Sequence, residues 1–348
     1  MRDSEAMAQA VELAASVRAT ASPNPWVGCV IEAVTGQVFT GATRPPGGPH
    51  AEAVAVAAGG DACRGATAWV TLEPCSHTGR TGPCADALID AGVARVVVAV
   101  QDPDPQVAGT GIDRLRFAGI EVAVGEGAQT VRRQLAPYLK HRSTGRPWVV
   151  LKLATTLDGR TAAPDGTSQW ITGAAARGDA HRLRAESDAV VVGAGTVRAD
   201  DPSLTVRHVE GRDPLRVVLG TAPAGAKVLP ALEFQGELAD LLDDLGRRGV
   251  LQVLVEGGAT VAGAFHRNGL VDQYAFYLAP ALFGGDDARP LFTGPGAATM
   301  ADVWRGAITD VTALGDDVRI DVSTVVAETD PADPGVERTK EPAARGAS

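Results

Sequence analysis

A series of short apolar stretches, each separated from the next by a segment with helical spacing, breaks at Thr144-Gly145-Arg146-Pro147 and then starts again. One layered sheet with its covering helices accounts for each half of such a chain, so the pattern predicts two α/β domains in series. The length agrees, because 348 residues at roughly 100–200 residues per domain suffice for two cores. We place the boundary at that Gly-Arg-Pro, with domains over 1–145 and 146–327. The remainder, 328–348, is rich in Pro, Asp, Glu, Gly and Ala and reads as a disordered tail.

In the first half, Met7, Ala10, Val11, Ala14 and Val17 recur at helical spacing over 4–18. Stretches 26–33 and 37–41 flank the Thr35-Gly36 turn as a hairpin. Helices are then expected over 51–58 and 84–91, and strands over 66–72 and 95–100. The second half predicts strands over 148–153, 189–193, 215–219, 251–255 and 273–278, with helices over 174–185, 237–248 and 260–268.

With 32 basic against 42 acidic residues the net charge is −10, and only 4% of residues are aromatic. A nucleic-acid binder needs basic surface and stacking rings, so we expect no nucleic-acid partner. No apolar run approaches the ~18 residues of a membrane span, and Met1-Arg2-Asp3-Ser4-Glu5 lacks a secretory profile. These features predict a soluble, cytoplasmic protein. The 4 cysteines are too sparse for a disulfide scaffold. Cys29 and Cys63 lie in apolar or turn contexts and are expected to pack in the core.

The other two cysteines carry chemistry. Pro49-His50-Ala51-Glu52 is matched by Glu73-Pro74-Cys75-Ser76-His77 and closed by Pro83-Cys84. His50, Cys75 and Cys84 make three zinc donors and leave a fourth position for water, as a catalytic site requires. In zinc deaminases the metal activates water for attack at an amino-bearing ring carbon, and a glutamate that is not a ligand relays protons, the role expected of Glu52. A structural zinc site or two unrelated core thiols would not explain His-x-Glu and Glu-Pro-Cys occurring together. His77 is a competing candidate ligand, but its place in a Gly-rich loop favours a loop or substrate-contacting residue.

In the second half, Gly193-Ala194-Gly195-Thr196-Val197-Arg198 has Arg where a dinucleotide fingerprint needs Gly or Ala, and the chain has no Gly-Lys dipeptide for a P-loop. Val255-Glu256-Gly257-Gly258-Ala259-Thr260 reads either as a phosphate-binding helix N-terminus or as a tight strand-to-helix turn.

Asn24-Pro25-x-Val27-Gly28, the His50 motif and the long loop from Glu73 to Cys84 resemble the deaminase half of the bifunctional riboflavin-biosynthesis deaminase/reductases. Leu151-Lys152-Leu153-Ala154, Ser168-Gln169-Trp170, the stretch from Gly195 to Arg207 and the Glu256 turn resemble the reductase half of the same family. The resemblance implies a cytidine-deaminase-like three-layer domain followed by a dihydrofolate-reductase-like α/β domain, with one zinc per chain and NADPH as cofactors. It implies deamination of a diamino-pyrimidinone carrying a phosphoribosylamino group, then reduction of the ribosyl side chain to the ribityl form. Ala154, Trp170, Thr196, Asp200 and the turn Gly258-Ala259-Thr260-Val261-Ala262-Gly263-Ala264 would contact NADPH. Asn24, Ser168, Arg184, Leu204, Arg207 and Glu256 would contact substrate, and Lys152 would assist the reduction. Thr43 stands where the family pattern has His. The family also implies a homo-oligomer, dimer or tetramer. The rival readings are a deaminase with a degenerate second domain and a nucleic-acid base deaminase.

Overall fold

A computed structural model describes residues 1–76, 82–105 and 107–324. The first domain contains helices α1 (Asp3–Ser16), α2 (Arg18–Ala21), α3 (Ala51–Gly59), α4 (Cys84–Asp90), α5 (Thr110–Phe117), α6 (Ala128–Gln134) and α7 (Ala136–Thr144). Its strands are β1 (Gly28–Glu32), β2 (Val38–Ala42), β3 (Thr67–Leu72), β4 (Arg95–Val100) and β5 (Glu121–Val124). They form one sheet in the order β2-β1-β3-β4-β5, antiparallel across the β2-β1-β3 side and parallel from β3 to β5.

The layering follows from register. Gly28 pairs with Ala42 and Cys29 with Gly41, so Gly28 and Gly41 face opposite sides of the sheet. A Cβ at Gly28 would meet the Ala10 carbonyl of α1, whereas one at Gly41 would meet the Ala51 carbonyl of α3 at 2.0 Å. Helices α1 and α3 therefore cover opposite faces, giving three layers, and α3 can approach β2 this closely only because residue 41 is glycine. Cys29 and Cys63 are fully buried in this core, as expected from their contexts.

The second domain runs β6 (Trp148–Thr156), β7 (Arg160–Ala162), α8 (Ala174–Ala185), β8 (Ala189–Gly193), α9 (Ala194–Asp200), β9 (Leu215–Leu219), β10 (Leu232–Phe234), α10 (Leu238–Arg247), β11 (Gln252–Val255), α11 (Ala259–Arg267), β12 (Gln273–Ala279), β13 (Arg289–Pro290), β14 (Ala307–Leu314) and β15 (Asp317–Ser323). The main sheet has the order β10-β9-β8-β11-β6-β12-β15-β14, parallel from β10 to β12, with the β14–β15 hairpin added antiparallel. In the parallel part the loops after β6, β8 and β11 leave from one edge, where open α/β sheets place their ligands.

The structure adds elements that hydropathy did not predict, chiefly α5 to α7, β5 and the β14–β15 hairpin. On β15 the pattern is inverted: Asp317, Arg319, Asp321 and Ser323 point inward and are buried, while Val318, Ile320 and Val322 are half-buried. An alternation read for apolar-inward faces assigns such a strand to the wrong side. The tail expected over 328–348 lies outside the described residues.

The start of α1 is tied to the sheet by one carboxylate. Asp3 accepts from Arg95 Nη1 and Nη2, both at 2.8 Å, and from Trp69 Nε1 at 2.9 Å. The Arg95 bonds lower its pKa from 3.8 to about 2. A carboxylate whose pKa is depressed on folding contributes stability above its unfolded value and loses it as pH falls through the folded one. Asp3→Asn is therefore expected to cost about 1 kcal/mol at pH 7, since the pair is partly exposed. Urea unfolding of both proteins should show the gap closing between pH 4 and pH 2, and a gap independent of pH would show that the charge of Asp3 is not what matters.

Candidate active site

Strands β1 and β3 are antiparallel, so the start of β1, the end of β2 and the end of β3 share one edge of the first sheet. The segments holding Asn24, Thr43, His50 and Cys75 all emerge there. His50 precedes α3 in extended conformation, Cys75 follows β3, and Cys84 opens α4. His50 Nδ1 lies 3.6 Å from Cys75 Sγ and 3.3 Å from Cys84 Sγ, and the three donor atoms fall within 4.8 Å of one another. Tetrahedral zinc with bonds of about 2.1–2.3 Å needs donors about 3.5–3.8 Å apart, so the trio fits that ion and leaves one position open. Among the described residues this is the one such cluster. His77 lies outside them.

The surroundings favour thiolate and a mobile proton. Cys75 Sγ accepts the Cys84 N–H at 3.4 Å, and hydrogen bonds from the Cys84 thiol and from His50 push its pKa down while that of Cys84 goes up. Glu52, in the first turn of α3, is 3% exposed. Burial, reinforced by the nearby Cys75, raises its pKa to about 7. Thr43 is buried, and its hydroxyl accepts the Val27 N–H at 3.0 Å, so it braces the segment entering β1. Asn24 sits half-buried on the loop before β1.

In the second domain the order β8-β11-β6 brings together residues far apart in sequence. A Cβ on Gly258 would stand 3.6 Å from Thr196 Oγ1, so α9 and the Gly257-Gly258 turn face each other. Of the α11 turn residues, Ala262 and Gly263 are buried. Ala262 lies in the core and its N–H donates to the Gly258 carbonyl. Ala264 is a full turn into the helix. The donors an α-helix leaves without intrahelical partners are those of Ala259, Thr260 and Val261. A glycine turn with such donors suits the anionic phosphates of a dinucleotide. Asp200 ends α9, and Ala154 is half-exposed on β6. Ser168 and Trp170 lie on the loop between β7 and α8, where the indole is 69% exposed and carries the Arg177 guanidinium 4.7 Å from its ring centre.

The expected substrate residues Arg184 and Glu256 bind each other. Arg184 Nε and Nη2 donate to the two Glu256 oxygens at 2.7 and 2.9 Å, and Nη1 donates to the Thr205 carbonyl at 2.9 Å. Leu204, buried with φ of +53°, is in the left-handed region that a branched side chain resists, next to the Thr205 carbonyl bound by Arg184. Arg207 is exposed and donates to Ser203 Oγ at 2.6 Å. Lys152 on β6 is pushed down in pKa by burial and held up by Glu256, with its ammonium 5.7 Å from the Tyr277 ring centre. Sequence reasoning missed His181, whose Nδ1 accepts the Arg207 N–H at 3.1 Å. Burial and then Arg184 and Arg207 lower its pKa to about 4, which keeps the ring neutral. Its place three residues before Arg184, on one helix face, was the available signal.

Comparison with known proteins decides the family. Residues 1–100 match the cytidine and deoxycytidylate deaminase zinc-binding region, and 147–320 match the RibD C-terminal domain. The riboflavin biosynthesis protein RibD of Escherichia coli K12 is 41% identical over 361 residues, covering 91% of this chain and 98% of that protein. The chain belongs to the RibD family. Its relative from Corynebacterium ammoniagenes is 47% identical over 292 residues, covering 80% of this chain and 86% of that one. Acinetobacter baumannii RibD superposes with a TM-score of 0.86 at 41% identity, covering 92% of this chain and 98% of that one. The Thermotoga maritima structure described as a diaminohydroxyphosphoribosylaminopyrimidine deaminase and 5-amino-6-(5-phosphoribosylamino)uracil reductase scores 0.83 at 32% identity, with the same coverage. The expected fold pair is thus present, a cytidine-deaminase-like domain followed by a reductase domain. The chain is a bifunctional deaminase and reductase of riboflavin biosynthesis, with zinc and NADPH as its cofactors.

The Arg184–Glu256 pair is only 11% exposed on each side. Removing one partner of a buried pair leaves an uncompensated charge. Arg184→Met is expected to lose about 3 kcal/mol of stability, and Arg184→Met/Glu256→Gln to recover most of it. Urea denaturation of the two variants checks this. Equal losses in both would assign the cost to packing and not to the stranded carboxylate.

Proposed function

We propose that residues 1–145 deaminate a 2,5-diamino-6-(5-phosphoribosylamino)pyrimidin-4-one and that residues 146–327 reduce the ribosyl side chain of the product to the ribityl form. The observation that carries the first half is the imidazole and two thiols meeting within 4.8 Å beside a buried carboxylate. His50, Cys75 and Cys84 would hold zinc, which when bound supplies a Lewis acid that makes water nucleophilic near neutral pH. Glu52, with a pKa near 7, can both take and return a proton at neutral pH. It accepts the proton of the water that adds to the amino-bearing ring carbon and delivers it to the amino nitrogen, so that the C–N bond breaks and ammonia leaves. Asn24 orients the pyrimidine.

In the second half, NADPH when bound supplies the hydride that reduces the first carbon of the opened sugar. Thr196, Asp200, Ala154, Trp170 and the backbone at 258–261 hold the cofactor in this reading. Lys152 provides a proton or positive charge beside the reacting group, with Glu256 opposing the downward pull of burial on its pKa. Arg207 favours the anionic substrate phosphate, while Arg184, its fork taken by Glu256, holds the Thr205 carbonyl and so the segment that carries Arg207. Burial of Lys152 next to the Arg184–Glu256 pair supports an active second domain over a degenerate one. The acidic, aromatic-poor composition speaks against a nucleic-acid base as substrate.

The enzyme is further read as a cytoplasmic homo-oligomer associating through its second domains. Among the described residues no helix is long and apolar enough to cross a membrane. Support for assembly comes from the edge strand β14, which exposes Ile308 and Val311 by 65% and 61%.

Ammonia release and NADPH oxidation should both appear on the phosphoribosylamino-pyrimidine. Chelating zinc should stop both, while pre-deaminated substrate still consumes NADPH. Ammonia without any NADPH oxidation would mean a degenerate second domain. Glu52→Gln should keep zinc and the reduction of pre-deaminated substrate but lose ammonia release by about a hundredfold or more. Release at the parental rate would remove Glu52 from the mechanism.

A further inference from the structure

Cys75 sits in the segment 73–76 after β3, which is neither helix nor strand, yet the residues on both sides of it are anchored. The anchor is α5, an element that contributes no metal donor. Glu73 is 4% exposed and accepts four backbone N–H groups. Asp102 and Gly109 donate to one of its oxygens at 3.2 and 3.0 Å, and Gly111 and Ile112 to the other at 2.9 and 3.2 Å. On the far side of Cys75, Ser76 Oγ lies 2.6 Å from Thr110 Oγ1, and Arg114 Nη1 donates to the Ser76 carbonyl at 3.4 Å. Between the two anchors, a Cβ on Gly111 would stand 1.9 Å from the Pro74 carbonyl, so the backbone of α5 rests directly on the loop.

A carboxylate has two oxygens and about four acceptor positions. Here donors from two segments occupy both oxygens, which fixes the group in plane and in place. Helix α5 has no side-chain cap of its own, because its N-cap residue is Gly109. Glu73 supplies that cap from 36 residues away, as measured to Gly109. A cap reaching in from another segment restrains its own loop as firmly as it restrains the helix. Two residues on, the restrained loop carries Cys75 to the Cys84 N–H and the His50 ring.

We propose that Glu73 is a positioning residue for the metal centre: it clamps the loop 73–76 onto the first turn of α5 and thereby sets the place of Cys75 Sγ relative to His50 and Cys84. The proposal rests on reading those three residues as the zinc donors. It differs from plain helix capping in what it predicts. A cap that only stabilises the fold lowers the melting temperature equally with and without metal. A clamp that preorganises a donor lowers the part of the stability that zinc adds, because that part depends on zinc affinity.

The test uses the full chain, with zinc alone as the probe. Melting temperatures are measured for wild type, Glu73→Gln and Glu73→Ala in zinc and in chelator, and zinc affinity by competition with a chromophoric chelator. Glutamine keeps one carbonyl oxygen but turns an NH2 toward N–H donors, so it should weaken zinc binding at least tenfold and shrink the zinc-dependent rise in melting temperature. Alanine should abolish the rise. NADPH consumption on pre-deaminated substrate should be unchanged in both variants, which shows that the second domain is folded. If Glu73→Ala does not fold, Glu73→Gln against wild type decides. Parental zinc affinity in Glu73→Gln, or a melting temperature lowered equally in zinc and chelator, overturns the clamp. A wild-type chain with no zinc-dependent rise removes the zinc reading itself, and the clamp with it.

Discussion

Two thiols, an imidazole and a carboxyl group must be held within a few ångströms of one another in a place that largely excludes water, and the first domain is arranged around that requirement. Each group alone is costly to bury, and their arrangement makes burial tolerable. The Cys84 N–H and the His50 ring satisfy Cys75. Glu52 meets burial by a pKa near 7, so it need not be charged at every moment. The close approach of α3 to β2 at Gly41 sets the depth at which His50 and Glu52 enter. The other side of the centre is set by α5 through Glu73, an element distant in sequence from every donor.

The second domain meets a related requirement with charges. Asp179 on α8 accepts from the Tyr277 hydroxyl at 2.6 Å and Arg319 Nη1 at 2.9 Å, and pairs with Arg182. Arg319 also pairs with Asp321 at 2.9 Å. Buried pairs of this kind add little net stability but constrain geometry strongly, since a shift of any member strands another. They lock β12, β15 and α8 together behind Lys152 and the Arg184–Glu256 pair. The result is a polar network joining one helix to two strands of the main sheet.

The two domains meet through polar contacts as well. Arg18 Nη2 donates to Gln252 Oε1 at 2.6 Å and its Nε lies 3.3 Å from Glu186, while Arg212 donates to the Ser22 carbonyl at 2.6 Å and Ser22 bonds Asp188. Lys140 on α7 pairs with Asp272 at 2.6 Å. Glu186 also pairs with Arg182, which shares Asp179 with the inner network, so the interface is continuous with the polar network of the second domain.

How much of this was legible in the sequence depends on which residues carried it. Apolar periodicity located most strands and helices because burial of those side chains drives the local structure. The meeting of His50, Cys75 and Cys84 beside a buried Glu52 was legible because zinc chemistry demands particular residue types, and those types appear in paired motifs. Strand β15 was not legible, since its inward face is Asp317, Arg319 and Asp321, whose partners on α8 lie more than a hundred residues away or on the same strand. Nor was the role of Glu73, whose four donors follow β4 and open α5. That Arg184 and Glu256 bind each other, and that Ala262 faces the core, also required the fold. The sequence by itself determined which chemical groups this protein has and where the strands and helices with apolar inward faces fall, because both are written in residue type and spacing. Tertiary structure alone decided which buried charges pair and what holds each donor in place, because a hydrogen bond depends on ångströms that separation along a chain does not encode.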